Sequence, residues 1–353
     1  MTARISEQTI GELENGQAIK RYCLRNSRGT EAVFLNLGAA WVGFQRPEDS
    51  QSLVLGSDTV EAFQTQKAYL GATAGRFANR IAKGRFVLNG EQIQLDINDG
   101  ENHLHGGHSG FSYQLFESHI QLNEGSVPEL TFRYHSPANE AGYPGNIELT
   151  VLIRLTEDDR VQFNYSATTD APTILNPTCH AYFNLDGHLA GTLKNHEFKL
   201  DAENFVESDD ALIPTGKCPA VAGTVMDLRS WHNIQSEIND LSDPNLQQAG
   251  GYDHCYCYPQ DKAFRLLASA RSASSKILLE CRSDLPGVQF YSGNFLAGTP
   301  LNKNDSYQKQ GAFCLEPGVW PDSPNHPLFP DCTIDEDNAY SAIIEYSFQS
   351  VDL

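Results

Sequence analysis

The apolar pattern is strictest at positions 147–155, which read Ile-Glu-Leu-Thr-Val-Leu-Ile-Arg-Leu, with an apolar side chain at every second residue. A polar turn at 157–160 follows, and the alternation resumes in Val-Gln-Phe-Asn-Tyr at 161–165. Successive side chains of a strand point to opposite faces of its sheet. The spacing therefore predicts an antiparallel hairpin that buries one face.

The same period of two continues on both sides of this hairpin, at 130–134 and again at 342–348. The dipeptide Asn89-Gly90 lies between two apolar runs and predicts a two-residue hairpin turn. Helical signals are few. Residues 57–63 predict a short helix with a serine cap, and residues 227–240 predict a second helix. Because strands and helices do not alternate and no linker interrupts the chain, we expect one large antiparallel β domain over residues 1–353.

The composition is that of an acidic globular protein. Among 353 residues, 25 Lys plus Arg stand against 45 Asp plus Glu, which gives a formal charge of -20. Such a surface repels phosphate backbones and anionic lipid head groups, so we expect no nucleic-acid and no membrane partner. The eight cysteines are scattered without a C-x-x-C pair and the first residues lack the apolar stretch of a signal peptide. These features predict a cytoplasmic protein with reduced thiols, either a monomer or a homodimer.

Polar groups cluster where predicted strands meet turns, in five segments: 75–80, 102–107, 176–185, 251–254 and 313–316. They bring together histidines, carboxylates, an arginine and amides. The sequence has no GxSxG elbow, Walker loop or GxGxxG run, which disfavours phosphoryl transfer and dinucleotide chemistry. General acid–base catalysis on a neutral polar substrate fits this inventory.

Two groups of residues could alternatively hold a metal: His103, His105 and His108, or His254, Cys255 and Cys257. The first group could share one face of a strand, but it lacks a matched acidic partner. The second fits no zinc spacing and shows no fourth ligand. We therefore expect no metal and no other cofactor.

Six motifs in order resemble the galactose mutarotases, or aldose 1-epimerases: Gly75-Arg76-Phe77-Ala78-Asn79-Arg80-Ile81, Asn102-His103-Leu104-His105-Gly106-Gly107, His180-Ala181-Tyr182-Phe183-Asn184-Leu185, Pro286-Gly287-Val288-Gln289-Phe290-Tyr291, Cys314-Leu315-Glu316 and Pro321-Asp322-Ser323-Pro324-Asn325-His326-Pro327. The resemblance implies a large all-β fold, the galactose mutarotase-like β-sandwich. It also implies an isomerase that interconverts the α and β anomers of a free aldohexose such as galactose or glucose, without a cofactor.

The resemblance also implies roles for individual residues. Glu316 would be the general base on the C1 hydroxyl, His180 the general acid toward the ring oxygen, and His105 a second histidine near that oxygen. The substrate hydroxyls would be bound by four further side chains, namely Asn79, Arg80, Asp253 and Gln289. By residue type alone, Phe290 or Tyr182 could stack on the sugar ring.

The sequence departs from the family pattern at five positions, Ser112, Tyr113, Cys179, Pro317 and Gly318. None of them is the implied acid or base, so they bear on the shape of the sugar pocket and on the preferred hexose.

Three rival functions are weighed against this interpretation. One rival is an epimerase of a related sugar or of a sugar phosphate, and the sugar phosphate would need a cationic pocket, which the acidic composition disfavours. A non-catalytic sugar-binding or sensor protein would not need both Glu316 and His180. A glycosidase with Asp253 and Glu316 as its carboxylate pair would leave the histidines without a role.

Overall fold

The computed structural model describes residues 4–121 and 127–352. The strands, numbered along the chain, are β1 Arg4–Glu12, β2 Ala18–Arg25, β3 Glu31–Leu35, β4 Ala40–Gln45, β5 Thr73–Ala74, β6 Arg80–Ile81, β7 Arg85–Leu88, β8 Glu91–Gln94, β9 His103–Leu104, β10 Glu117–Gln121, β11 Glu129–Ser136, β12 Ile147–Leu155, β13 Arg160–Thr169, β14 Thr173–Ile174, β15 Thr178–Cys179, β16 Tyr182–Phe183, β17 His196–Leu200, β18 Asn204–Phe205, β19 Asp253–Cys257, β20 Arg265–Ser272, β21 Ile277–Ser283, β22 Gly287–Tyr291, β23 Phe313–Gly318, β24 Thr333–Ile334 and β25 Tyr340–Ser350. The helices are α1 Val60–Thr65, α2 Gln235–Asp240 and α3 Pro244–Ala249, and four short 3-10 turns lie at Ala82–Gly84, Phe111–Tyr113, Glu140–Gly142 and Ser323–Asn325.

Three larger sheets build most of the molecule, beside four two-stranded ladders among the described residues, and their strands pair antiparallel. The largest has eight strands in the order β10-β11-β12-β13-β25-β21-β20-β17. A second sheet has the order β1-β2-β3-β4, and a third has the order β16-β23-β22-β19-β18. The expected all-β antiparallel class is therefore confirmed.

The hairpin predicted from the strictest alternation is present. β12 and β13 pair from Ile147 opposite Thr169 to Leu155 opposite Val161, and the five alternate residues of β12 are buried. The turn at Asn89-Gly90 also joins β7 to β8, with φ of 50° and 85° at its two residues. Both positive values match the turn type that two-residue hairpins favour.

The helices differ in detail from the sequence prediction. Helix α1 begins at Val60 and is capped by Thr59, whose side-chain oxygen accepts a hydrogen bond from the Ala62 amide. Ser57, the predicted cap, instead donates its hydroxyl to the Pro300 carbonyl at 3.0 Å. Of residues 227–240, only the last six form a helix, and α3 follows after a short turn.

The three sheets meet on one buried ring, that of Trp41 in β4. Its ring lies 5.7 Å from Phe163 of the eight-stranded sheet and 5.6 Å from Phe183 of the five-stranded sheet. Tyr346, also in the eight-stranded sheet, donates its hydroxyl to the Leu315 carbonyl of β23 at 2.7 Å. The packing of the core thus fixes β23, which carries Glu316, against the largest sheet.

The loop before β6 is held by a buried cation, Arg76, which is 2% exposed. Its guanidinium donates to the Ser136 hydroxyl and to four backbone carbonyls, those of Ser136, Pro137, Pro144 and Gly145. A buried arginine with its donors satisfied ties this loop to the end of β11 in the eight-stranded sheet.

All eight cysteines are free thiols and five of them are buried, as the sequence predicted for reduced cysteines. Over residues 4–121 and 127–352, no helix combines the length and the apolar character that crossing a membrane would require.

Candidate active site

The five-stranded sheet presents three predicted site residues on one face. Asp253 lies in β19, Gln289 in β22 and Glu316 in β23, which are neighbouring strands. Phe290 has the opposite parity to Gln289, is fully buried, and packs in the main core against Phe198 and Tyr252. The suggestion that Phe290 stacks on a sugar is therefore wrong, because adjacent residues of a strand face opposite sides.

The strand register arranges this face into two rows of directly opposed residues. The first row is Cys255, Gln289 and Glu316, and the second row is Asp253, Tyr291, Cys314 and Tyr182. Directly opposed side chains lie about 4.5–5.5 Å apart at Cβ. Each row therefore places polar groups from several strands side by side.

His180 reaches this face from the short link between β15 and β16. Its amide donates to the Ala72 carbonyl at 2.9 Å, and its carbonyl accepts from the Gly71 amide at 3.0 Å. Its Nε2 lies 3.7 Å from Glu316 Oε2, and its Nδ1 lies 3.7 Å from Cys314 Sγ. The predicted acid and base are thus neighbours, and both are about 95% buried.

His105 and Arg80 arrive from a different ladder, the pairing of β6 with β9. Arg80 pairs with Leu104 in that ladder, so His105 follows directly after its end. The Asn79 amide donates to His105 Nδ1 at 3.1 Å. Because that nitrogen accepts a hydrogen bond, the neutral ring carries its proton on Nε2.

These elements enclose a cleft of about 260 Å³. It is lined by six of the seven predicted site residues, His105, His180, Glu316, Asn79, Arg80 and Asp253, together with Lys67, Ala68, Tyr69, Asp99, Leu104, Tyr182, Tyr291 and Phe295. The seventh, Gln289, lies on a smaller cavity that it shares with Glu316. Tyr182, the other suggested aromatic, does line the cleft.

Gln289 and Arg80 both act on Asp253. The Gln289 amide nitrogen donates to Asp253 Oδ1 at 2.7 Å, and Arg80 Nη1 lies 3.9 Å from Asp253 Oδ2. Arg80 Nε also donates to Asp99 Oδ2 at 2.8 Å. Asp99 is not among the residues predicted from the sequence, although it lies only three residues before the Asn102 motif.

Burial shifts the pKa values of the central groups in the direction that favours their uncharged forms. Burial, followed by the charge of Asp253, raises the pKa of Glu316 well above its usual range. Burial also raises the pKa of Asp253, against the opposing effects of Arg80 and Gln289. Burial lowers the pKa of His180 to about 4 and holds the pKa of His105 well below its usual value. A buried carboxyl with a raised pKa beside histidines is typical of acid–base sites.

Three lining residues hold unusual backbone conformations. Tyr69, Asn79 and His105 have φ of 53°, 69° and 51°. Positive φ is uncommon outside glycine, and such conformations tend to cluster at active sites and ligand clamps. Tyr69 and His105 also face each other with ring centroids 4.7 Å apart.

Neither metal grouping considered from the sequence comes together. His103 uses both ring nitrogens in contacts, Nδ1 with the Asp96 carbonyl at 2.8 Å and Nε2 with the Tyr143 hydroxyl at 2.6 Å. In β19, His254 points to the face opposite that of its cysteine neighbours. The five departures from the family pattern lie outside the lining of the cleft.

The similarity to solved structures shows the class of fold. Galactose 1-epimerase from Lactobacillus acidophilus superposes with a TM-score of 0.88 over 99% of this chain and 100% of that chain at 22% identity, which shows the shared fold. An aldose epimerase homologue from C. elegans gives a TM-score of 0.83 at 27% identity, over 99% and 100% of the two chains. The fold is therefore that of the galactose mutarotases.

Sequence comparison then identifies the family. The aldose 1-epimerase family model matches residues 20–347. Aldose 1-epimerase of Escherichia coli K12 is 36% identical over 340 residues, 95% of this chain and 96% of that protein. Human galactose mutarotase is 36% identical over 350 residues, 98% of this chain and 99% of that protein. This chain belongs to the aldose 1-epimerase family, whose members are isomerases.

Proposed function

We propose that this protein interconverts the α and β anomers of a free aldohexose, such as D-galactose or D-glucose, by acid–base ring opening and reclosure. The observation that carries the proposal is the buried pair of Glu316 and His180, whose Oε2 and Nε2 lie 3.7 Å apart at an open cleft. The names of the relatives point to the same reaction and to galactose.

In the forward step, Glu316 accepts the proton of the C1 hydroxyl while His180 donates a proton to the ring oxygen. The bond between C1 and the ring oxygen breaks, C1 becomes an aldehyde, and the ring oxygen becomes the C5 hydroxyl. After rotation about the C1–C2 bond, the C5 hydroxyl attacks the other face of the aldehyde. Both proton transfers then run in reverse, so the net proton count is unchanged.

Burial favours the uncharged form of each group, so it favours a free pair with a proton on Glu316 and a neutral His180. The reactive form has the same proton on His180 and an ionised Glu316. Moving one proton between these two side chains therefore converts one form into the other without exchange with solvent.

The remaining groups bind and orient the sugar. His105, with its proton on Nε2, donates a hydrogen bond near the ring oxygen. Asp253 accepts from sugar hydroxyls, and its orientation is fixed by Gln289 and Arg80. Asn79 and Arg80 add donors to the hydroxyls, and Gln289 contributes a further hydroxyl contact through its buried carbonyl oxygen, which has no protein partner among the described residues. The reaction draws on these side chains alone and needs no cofactor.

The cleft offers little free positive charge to a phosphate, which favours a neutral substrate over a sugar phosphate. Its arginine is already shared between two carboxylates, Asp99 and Asp253. The other lining cation is the exposed Lys67.

We place the protein in the cytoplasm, acting on a small sugar as a monomer or homodimer through one domain that spans residues 1–353.

Polarimetry on freshly dissolved α-D-galactose and α-D-glucose tests the function. The proposal predicts faster relaxation to the same final rotation when the protein is added. Unchanged relaxation with both sugars, in a folded protein that still binds them, would instead support the non-catalytic sugar-binding function. Acceleration only with a hexose phosphate would support the phosphate epimerase, and release of nitrophenol from a nitrophenyl glycoside would support the glycosidase.

A further inference from the structure

The smaller cavity beside the cleft is lined by two buried polar groups that no protein atom satisfies. Thr178 is 2% exposed and Gln289 is 8% exposed, and both side chains line this cavity of about 20 Å³. Neither the Thr178 hydroxyl nor the Gln289 carbonyl oxygen has a hydrogen-bond partner among the described residues. A buried polar group without any partner is destabilising, so such groups usually bind an ordered water molecule.

Neighbouring contacts fix the position of both groups. The Gln289 amide nitrogen donates to Asp253 Oδ1 at 2.7 Å, so the carbonyl oxygen of the same amide points away from Asp253. Thr178 pairs with Ala74 in the ladder of β15 and β5, which holds its backbone in place. The two oxygens are therefore presented by ordered elements and not by a mobile surface.

Glu316 is the third polar residue at this cavity, and it also lines the cleft. In the described part of the chain, no group donates a hydrogen bond to its carboxyl oxygens. The nearest polar partner, His180 Nε2, lies 3.7 Å from Oε2, which is longer than a hydrogen bond. A carboxylate that acts as a base is stabilised by donors to its charged form, so Glu316 can use a further donor.

One water molecule fits both the space and the three groups. A cavity needs about 10–15 Å³ to hold a water, and this one offers about 20 Å³. The water accepts a hydrogen bond from the Thr178 hydroxyl and donates one each to the Gln289 carbonyl oxygen and the Glu316 carboxyl group. These are the three bonds that a buried water typically makes. The Gln289 oxygen has a second lone pair, with which it can also accept from a sugar hydroxyl.

We propose that a water molecule held by Thr178 and Gln289 donates a hydrogen bond to Glu316, and that Thr178 is thereby a positioning residue for the base. The bond is stronger when Glu316 is ionised, so it favours the reactive form of the pair. Pro317 and Gly318 line the same cavity, so two of the five departures from the family pattern shape this site and not the cleft. The effect on catalysis rests on the proposed function, whereas the water site itself does not.

The ionisable groups around Glu316 come from several elements. His180 lies in the link between β15 and β16, and Asp253 lies in β19. The others are thiols and phenols whose pKa values are raised by burial, which keeps them uncharged at neutral pH: Cys179, Tyr182, Cys255, Tyr291, Cys314 and Tyr346. Removing the Thr178 hydroxyl changes none of these charges, so its effect on Glu316 can be measured separately.

High-resolution crystal structures test the water site without reference to activity. The wild type should show one ordered water within about 3.2 Å of Thr178 Oγ1, Gln289 Oε1 and a Glu316 carboxyl oxygen. Thr178→Ser keeps the hydroxyl and should keep the water. Thr178→Val replaces the hydroxyl with a methyl group of similar size and should lose it. A wild type without this water, or a water that is unchanged in Thr178→Val, would overturn the site.

The pH profile of kcat/KM tests the positioning role. Thr178→Val should move the upper limb to higher pH by about one unit, because ionised Glu316 loses a hydrogen bond. The value of kcat should fall by up to about tenfold, since the reactive form becomes rarer. Thr178→Ser should behave like the wild type in both measurements.

Thr173→Val is the matched control for the loss of a hydroxyl. Thr173 is fully buried in β14, its hydroxyl also lacks a partner among the described residues, and it lies outside this cavity. This variant should leave the pH profile unchanged. A wild-type profile in Thr178→Val after the water is lost would refute the positioning role. A water that depends on Thr178 in a protein without mutarotase activity would keep the site and refute the proposed function instead.

Discussion

At the scale of single residues, the environment of Glu316 and His180 favours the uncharged form of each group. A solvent-exposed glutamate is ionised at neutral pH, and a histidine is half-protonated not far below it. In this cleft, burial and Asp253 favour the protonated glutamic acid, and burial favours the neutral imidazole. In the proposed mechanism, the catalytic form is the arrangement of the shared proton that this environment disfavours, which makes His180 a stronger acid and Glu316 a stronger base.

This arrangement predicts the pH profile of kcat/KM. Activity needs one shared proton on the pair of Glu316 and His180. The value of kcat/KM should therefore fall below about pH 4, where His180 takes up a proton while Glu316 keeps its own. It should fall again above the raised pKa of Glu316, where the pair loses its only proton. Asp253→Asn removes a charge that raises this pKa, so the upper limb should move to lower pH. An upper limb that stays in place or moves to higher pH would contradict the assignment.

The same shift predicts how Glu316 affects stability. Its pKa is higher in the folded than in the unfolded protein, so its contribution to folding is fully present below about pH 4.5 and is lost as the pH rises through the folded value. Glu316→Gln should therefore unfold at a higher temperature than the wild type at pH 7–8. The difference should disappear near pH 4, as measured by thermal denaturation across this range. A variant less stable than the wild type at pH 8 would contradict the raised pKa.

At the scale of elements, the site is assembled from a regular part and an irregular part. The regular part is the face of β19, β22 and β23, where register alone sets which side chains lie together. The irregular part consists of the loops that carry Tyr69, Asn79 and His105 with positive φ. These loops bring the histidine and the arginine over the sheet, so their backbone geometry determines the shape of the cleft.

Gly106, next to His105, offers a test of that geometry. Its φ is 93°, and a Cβ added there would lie 1.7 Å from the Gly75 carbonyl oxygen. Gly90 has a similar φ of 85° with nothing within 4 Å, which makes it a matched control. Gly90→Ala should cost only backbone strain, about 1–2 kcal/mol. Gly106→Ala should cost more in urea denaturation and should also reduce activity; equal losses would show that the contact with Gly75 is unimportant.

Periodic patterns located the long elements but not the short ones. Strict alternation was enough to predict β12, β13 and β25, and the parity of Gln289 could have shown that Phe290 faces the core. Strands of two residues, such as β5, β6 and β9, are too short to show any period. Asp99 and Tyr69 enter the cleft through contacts between distant segments, which no local pattern reports. The six motifs contain most of the residues that line the cleft.

At the scale of the whole molecule, three sheets share one core around Trp41 and Tyr346. The largest buried cluster includes residues from the eight-, five- and four-stranded sheets. An interface that shares its central aromatic rings leaves no obvious plane along which the chain could separate into independent units. This supports the proposal of one domain over residues 1–353.

A single domain predicts one cooperative unfolding transition. Circular dichroism, which follows the strands, and tryptophan fluorescence, which includes buried Trp41, should give the same urea midpoint. Trp41→Phe should lower the urea midpoint of the entire circular dichroism transition. Two separate transitions would show that part of the chain folds independently.

The most direct test of the account compares two buried glutamates by polarimetry on α-D-galactose. Glu316 and Glu345 are each 6% exposed, but Glu345 lies in β25 outside the cleft and pairs with Arg160. Glu316→Gln should slow the catalysed relaxation by at least about 100-fold, while Glu345→Gln should retain most of the wild-type rate. Catalysis that survives in Glu316→Gln would contradict the assignment of Glu316 as the base and, with it, the shared-proton mechanism.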